Sequence, residues 1–417
     1  ECMVREKTSG ANMPPRRALV VGAGVVGVAT AYALARRGAE VTILDKGDAP
    51  GSGASFANGA QLSYIYTEAL ANSTLLKRLP ALALGLDSGF RLRPVYDPCQ
   101  IRWLLQFLRN CTQRRFLANT LAGMELGLES RLAMQALLSR HSVDFGHKAA
   151  GKILIYQDRE AFRSACELVE IRQRHGAEQE ILSPDEAVRT EYALTEQRQK
   201  FVGAIYSPQE ELGDPNRFCC ALLALLQQDY GVQVKLETMV ESWKIENESV
   251  IVETKAGEQI VSSQIVICAG IEAGSLLKKH RLGSALMPMK GYSITAPRGQ
   301  AAPTMSITDV ARKVVFCPLD GKVRIAGLAE LGVRNALIDP RRVEKLKSIA
   351  ADALPEAADY KASNGGWAGI RPMTANSLPL IRKVAPRVTI NVGHGMLGWT
   401  YAMGSAERVA RLMGGLE

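Results

Sequence analysis

The stretch VVGAGVVGVATAYALARRGAEVTILD constrains this chain more than any other. ALVV, from Ala18 to Val21, is an apolar run of strand length. Small and apolar residues then recur at helical spacing from Val25 to Arg37, Gly38 ends the helix, and VTIL from Val41 to Leu44 returns to a strand pattern. Gly22, Gly24 and Gly27 form a G-x-G-x-x-G turn between the first strand and the helix. The first glycine makes the tight turn, the second admits a pyrophosphate against the backbone, and the third lets the helix pack close to the strand. The helix start at Val25 and Val26 offers unpaired N–H groups and a partial positive charge to phosphate oxygens. Asp45, followed by Lys46, ends the second strand, where a carboxylate can bind ribose hydroxyls and disfavours a phosphorylated ribose. A βαβ dinucleotide site is expected. FAD and NAD share the adenosine diphosphate, so the motif does not choose between them.

With 417 residues, the chain exceeds the length at which one core usually stops growing, so two structural domains sharing a ligand site are expected. Hydrophobic residues at 47% and charged residues at 22% fit a globular protein without long disordered tracts. The net charge of +9 is dispersed, which argues against nucleic acid and leaves anionic lipid or acidic substrates as partners. Cys2, Cys99, Cys111, Cys166, Cys219, Cys220, Cys268 and Cys317 lack C-x-x-C spacing and histidine partners, so no metal site is expected and the thiols read as reduced. No apolar run reaches the roughly 18 residues of a membrane span. A cytoplasmic protein is expected, peripheral at most on the inner face of the plasma membrane. Glu1 to Asn12 show no periodicity, and Met13, before Pro14 and Pro15, reads as the functional start.

From about Gln61 to Gly146 the pattern is mostly helical, suggesting a cap. Within it RWLLQFLRNCTQRRF mixes Trp103, Leu104, Leu105, Phe107 and Leu108 with Arg102, Arg109, Arg114 and Arg115, which suits a helix on the core or a basic interfacial helix. VQVKL, SVIVET and QIVICAG read as strands, the last followed by a helix from Ile271 to Lys279. GYSIT, KVVFCP and KVRIAG alternate apolar and polar residues, as in an antiparallel sheet with one buried face. Near the carboxyl end a strand runs into Gly393, His394, Gly395, Met396, Leu397 and Gly398, with a helix from about Trp399 and Thr400. Its amino terminus could stabilise charge on a flavin's pyrimidine ring; a plain strand-to-helix turn is the alternative.

Five segments carry a resemblance: SFANGAQLS (Ser55 to Ser63), FLRNCT (Phe107 to Thr112), MKGYSIT (Met289 to Thr295), GWAGIRPMT (Gly366 to Thr374) and NVGHGMLGWT (Asn391 to Thr400). From about Arg17 to Met413 the chain resembles the D-amino acid oxidase and glycine oxidase superfamily, and most of all the bacterial D-amino acid dehydrogenase small-subunit family. The resemblance implies an α/β fold in which a Rossmann-type, glutathione-reductase-like FAD-binding domain is interleaved with an α+β substrate domain built on an antiparallel sheet. After a tail of residues 1–13, the FAD unit is expected over 14–61, part of 147–283 and 362–417, and the substrate and cap unit over 62–146 and 284–361.

The same resemblance implies FAD as cofactor, with Ser55, Ala57, Asn58 and Gly59 beside the flavin and pyrophosphate, Val240 holding adenine through its backbone, and Ala269 with Gly270 near the phosphates. Arg371 would grip the substrate carboxylate, for which a guanidinium fork is suited. Tyr292 would line the pocket or pack in the core, and His394 would act as a base or shape the turn. The implied reaction is oxidative deamination of a D-amino acid by hydride transfer from Cα to flavin N5, with electrons passed to a quinone or other carrier. A D-proline or hydroxy-D-proline dehydrogenase, a glycine or sarcosine-type oxidase, and a flavin subunit working with a partner subunit are the alternatives. Ala375, Asn376, Ser377, Leu378 and Arg382 depart from the family pattern, which places loop geometry and substrate choice in question.

Overall fold

The computed structural model describes residues 17–75, 89–92, 97–280, 282 and 285–414. The tail, Met13, Cys2 and parts of the expected cap lie outside the described residues. The seven described cysteines are all free.

Strands Arg17–Val21 and Glu40–Leu44 pair in parallel, flanked by Gln264–Ile267 and Gln233–Lys235, and the sheet continues to Val388–Val392 and an antiparallel edge, Leu380–Ala385. Both faces are covered, which explains the unbroken apolar runs. Ala18 and Val20 turn to one side, where they meet the first helix (Val25–Ala35), the helix Pro215–Tyr230 and the terminal helix (Gly398–Met413). Leu19 and Val21 turn to the other, onto a three-stranded sheet of Val240–Glu246, Ser249–Thr254 and Gln259–Ser262.

A second, nine-stranded sheet runs in the order Trp367–Met373, Met287–Pro297, Lys322–Leu331, Val314–Leu319, Ser306–Asp309, Lys152–Tyr156, Gly203–Ser207 and Glu180–Leu182, with Phe90–Leu92 beside Lys322–Leu331. The antiparallel alternation read in GYSIT, KVVFCP and KVRIAG is present in its centre. The helix Pro340–Ala353 covers one face, seating Val343, Leu346 and Ala350 against Tyr292, Ile294 and Phe316. The opposite face looks toward the nucleotide unit.

Two expectations need correction. Trp367–Met373 falls in 362–417, expected to belong to the FAD unit, yet it is a strand of the large sheet, joined there by Lys152–Tyr156, Glu180–Leu182 and Gly203–Ser207 from the stretch shared between the units. Strand pattern is local, whereas the choice of sheet depends on partners distant in sequence, such as Ser306–Asp309 for Lys152–Tyr156. The helix expected over Ile271 to Lys279 is broken into a 3-10 turn at Gly270–Glu272, one α turn at Ala273–Leu276 and another 3-10 turn at Lys278–His280.

Candidate functional site

The glycine turn follows from crowding. Gly22 has φ +114°, a region that side chains rarely enter, and a Cβ there would lie 2.6 Å from the Cys268 carbonyl oxygen. A Cβ on Gly27 would run into the Gly22 carbonyl, so only glycine lets the helix begin this close to the strand. No side chain caps this helix at Gly24. Val25 N donates to Ser55 Oγ at 3.1 Å, so Ser55 already reaches the helix start where phosphate is expected. Asp45 does more than await a ribose: its two carboxylate oxygens accept from Ala23 N at 2.5 Å and Gly47 N at 2.7 Å, bracing the turn. Each oxygen keeps a further lone pair for a hydroxyl. Lys46 pairs at the surface with Glu272, 2.7 Å away.

Neighbouring segments close around this cradle. Glu237 N donates to Gly47 O and Thr238 N to Asp45 O, which carries the chain to Val240 alongside the second strand. Cys268 N donates to Val21 O, setting Ala269 and left-handed Gly270 against the glycine turn. The donor set and the space kept by the glycines fit the adenosine diphosphate of FAD.

A second uncapped helix start lies at the carboxyl end. Gly393 and Gly395, with φ +81° and +58°, turn the chain through His394, Met396 and Leu397 into Gly398. No side chain caps this helix, and a 3-10 turn over Gly395–Leu397 leads straight into it. The side chains of Trp399 and Thr400 turn inward. The indole donates to Gly213 O at 3.1 Å, and the Thr400 hydroxyl accepts from Ser63 N at 2.9 Å. Any contact of these two residues with flavin would therefore use the backbone.

The large sheet supplies the third part. Arg371 pairs with Met289, Gly369 with Gly291 and Trp367 with Ser293, so these residues share one face. A Cβ on Gly291 would collide with the Arg371 guanidinium, and one on Gly369 with the Trp367 indole. The two glycines thus let both long side chains lie along the sheet. Over the same face run Ala57, Asn58 and Gly59: Ser293 Oγ donates to Ala57 O at 2.5 Å, Arg324 donates to Asn58 O at 2.9 Å, and a Cβ on Gly59 would sit 3.5 Å from Val315. Among the described residues the Arg371 guanidinium has no hydrogen bond or ion pair. Loss of water lowers its ionisation to about 10, so it stays charged at neutral pH and lacks a counter-ion.

Tyr292 does not join it. The pleat sends Tyr292 to the helix-covered face, opposite Gly291 and Ser293, where its hydroxyl donates to Glu330 at 3.0 Å among core side chains. Burial pushes the phenol above its usual range. The pocket-lining expectation is corrected to the packing one. His394 is buried, with Nε2 3.0 Å from Ser405 Oγ, which also accepts from Asn391 and donates to Ala402 O. Burial lowers the imidazole to about 3, so the ring stands neutral at neutral pH and is held within the turn. The departing loop has its own function: Ser377, at φ +64°, accepts from Leu70 N at 3.0 Å and ties the loop to the cap. Arg382 is exposed on an edge strand of the other sheet.

Sequence reasoning missed Trp367, Ser293 and Arg324. The signal lay in the alternation W-x-G-x-R and in the polar phase of KGYSIT and KVRIAG, which becomes informative only once the face is known.

The description FAD dependent oxidoreductase matches residues 17–412. The chain is 38% identical over 405 residues to D-amino acid dehydrogenase 2 of Ralstonia nicotianae, covering 94% of this chain and 95% of the relative. It is 34% identical over 407 residues to D-amino acid dehydrogenase of Dechloromonas aromatica, covering 96% and 97%. Among solved structures, glycine oxidase from Geobacillus kaustophilus superposes with a TM-score of 0.73 at 22% identity, covering 95% of this chain and 94% of that one, which shows a shared fold. A mixed α/β architecture with a glycine cradle and a near full-length family match leads to one assignment: the chain belongs to the FAD dependent oxidoreductase family.

Proposed function

We propose that this protein oxidises D-amino acids to imino acids, which hydrolyse to 2-oxo acids and ammonia, and passes the electrons to a quinone or another carrier. Support comes from relatives named D-amino acid dehydrogenase over nearly the whole chain and from Arg371, a charged guanidinium without a counter-ion that lies over Gly291 on the face of the sheet crossed by Ala57 to Gly59. Arg371 is the observation that carries the reading. FAD, when bound, supplies the two-electron acceptor.

The chain's own residues bind and orient. The glycine turn, Ser55 and Asp45 would hold the adenosine diphosphate, and Val240, Ala269 and Gly270 would close around it. Gly393 to Thr400 would present backbone N–H groups to the ring system. Arg371 would take the carboxylate in a site with little water, where a two-bond charged pair is strong and directional. Trp367, Ser293 and Val315 would wall the space around it. None of these three side chains titrates near neutrality, so catalysis rests on positioning.

We place the protein on the inner face of the plasma membrane, in peripheral contact with an anionic surface. In the helix Pro98–Asn110, Trp103 and Phe107 pack inward, while Ile101, Leu105 and Leu108 are 46%, 55% and 37% exposed beside Arg102 and Arg109. The helix therefore both packs on the core and shows an apolar, basic outer face. No described helix is long and apolar enough to cross a membrane.

The test is anaerobic flavin bleaching by D-alanine, D-proline and their L forms. Bleaching by D forms only is expected, and Arg371→Ala should weaken it roughly hundredfold or more, the cost of leaving a buried charge unpaired. Peroxide release in air would point to an oxidase. Bound flavin untouched by every amino acid would overturn the reading in favour of an electron-transferring subunit.

A further inference from the structure

Lys152 opens the strand Lys152–Tyr156, yet it is only 2% exposed. Its Nζ donates to Gln61 Oε1 at 3.1 Å and Ser63 Oγ at 2.9 Å, and lies 4.5 Å from the centre of the Tyr66 ring. Gln61 and Ser63 continue the segment that crosses the large sheet at Ala57 to Gly59. Ser63 also donates its N–H to Thr400 Oγ1 in the first turn of the terminal helix. One ammonium therefore fastens a segment that abuts both parts of the chain expected to face the flavin ring.

Glu210 is the main opposite charge acting on this cation. Among the described residues no carboxylate forms an ion pair with it. Glu210, also buried, spends Oε1 on Ile65 N and Tyr66 N, and its Oε2 has no partner. Glu68 is taken by Arg172 at 2.9 Å, and Cys317 bonds to the Ala60 carbonyl. Gln61 Nε2 is likewise buried without a partner. Burying an ammonium opposes folding, and Glu210 offsets that cost without coming within ion-pair distance.

We propose that Lys152 is a positioning residue whose buried positive charge, anchored at Gln61 and Ser63, favours the reduced over the oxidised cofactor. The proposal rests on the flavin reading of Ser55 to Gly59 and Thr400. Reduction adds negative charge to the ring system, and a fixed cation in a poorly solvated site stabilises that charge without reorganising. The uncapped terminal helix acts in the same direction. Burial lowers the Lys152 ammonium to about 8, opposed by Glu210, Cys317 and Glu68 and reinforced by Arg172. The charge is present below that pH and lost above it, so its effect should fade as the pH rises through about 8.

The experiment equilibrates the FAD-loaded full chain with a reference redox dye under nitrogen, for wild type, Lys152→Met and Lys152→Arg. At pH 7 the Met variant should hold a roughly tenfold smaller ratio of reduced to oxidised flavin, the Arg variant should restore it, and the gap should close above the lysine's ionisation. In unmodified protein the same ratio should show an added inflection near pH 8, which needs no variant to fold. Equal ratios in wild type and Lys152→Met, with flavin bound and bleached by D-amino acids, overturn this proposal alone. The absence of the inflection in wild type overturns it too. A wild-type chain that takes up no flavin overturns it together with the functional reading.

Discussion

His394 shows how burial decides chemistry at a single residue. Its imidazole ionises at about 3 in the fold and at about 6.5 in an ordinary setting, so between these values the unfolded chain binds a proton that the native state refuses. Stability should therefore fall as the pH drops from 6.5 toward 3, by up to about 1.4 kcal/mol per pH unit. Urea titrations at several pH values should show this loss in wild type and a smaller one in His394→Gln. The same variant, saturated with FAD, should keep its bleaching rate within about tenfold, whereas removing a general base costs about 10² to 10⁴. A larger loss would return His394 to the chemistry.

At the scale of elements, the strand Trp367–Met373 shows what alternation encodes. Trp367, Gly369 and Arg371 share a face, and the glycines opposite and between them are needed for space rather than for backbone freedom. Gly291→Ala should place a methyl where the guanidinium lies, weakening D-alanine binding by roughly tenfold or more while leaving flavin content unchanged, as steady-state kinetics and absorbance would show. The helix Pro98–Asn110 invites a separate test. Leu105→Glu adds a negative charge to the exposed apolar face and should reduce co-sedimentation with vesicles rich in anionic lipid, without changing bleaching in solution. Undiminished sedimentation would remove this helix from the membrane-facing surface.

At the scale of the whole molecule, neither sheet can be completed from one stretch of chain. The nucleotide sheet draws strands from residues 17–44, 233–267 and 380–392, and the large sheet from 90–92, 152–207, 287–331 and 367–373. The terminal helix then locks onto the first helix and the long helix Gln113–Arg140, with Glu407 bonded to Arg36 and Arg37 at 2.7 and 2.6 Å and Arg408 to Glu129 at 2.8 Å. Such interleaving couples the two units. Heating should give one transition in which tryptophan fluorescence and flavin release coincide, and FAD at about 100 times its Kd should add about 2.7 kcal/mol of stability. Two separated transitions would show that the units unfold independently.

The βαβ unit and its glycines were legible in the sequence because each is a local requirement, whereas Arg371 and the segment Ser55 to Gly59 were singled out by the family resemblance. A turn that passes under a carbonyl needs glycine, and a helix start needs its neighbours in order. What residues 152–207 pair with, which way Tyr292 points, that Asp45 braces the turn, and that Lys152 is buried against Gln61 and Ser63 were not. Those facts depend on register and burial between segments distant in sequence. A shift of one residue in pairing exchanges the faces of a strand, so only the tertiary structure decided which side chains meet at the site.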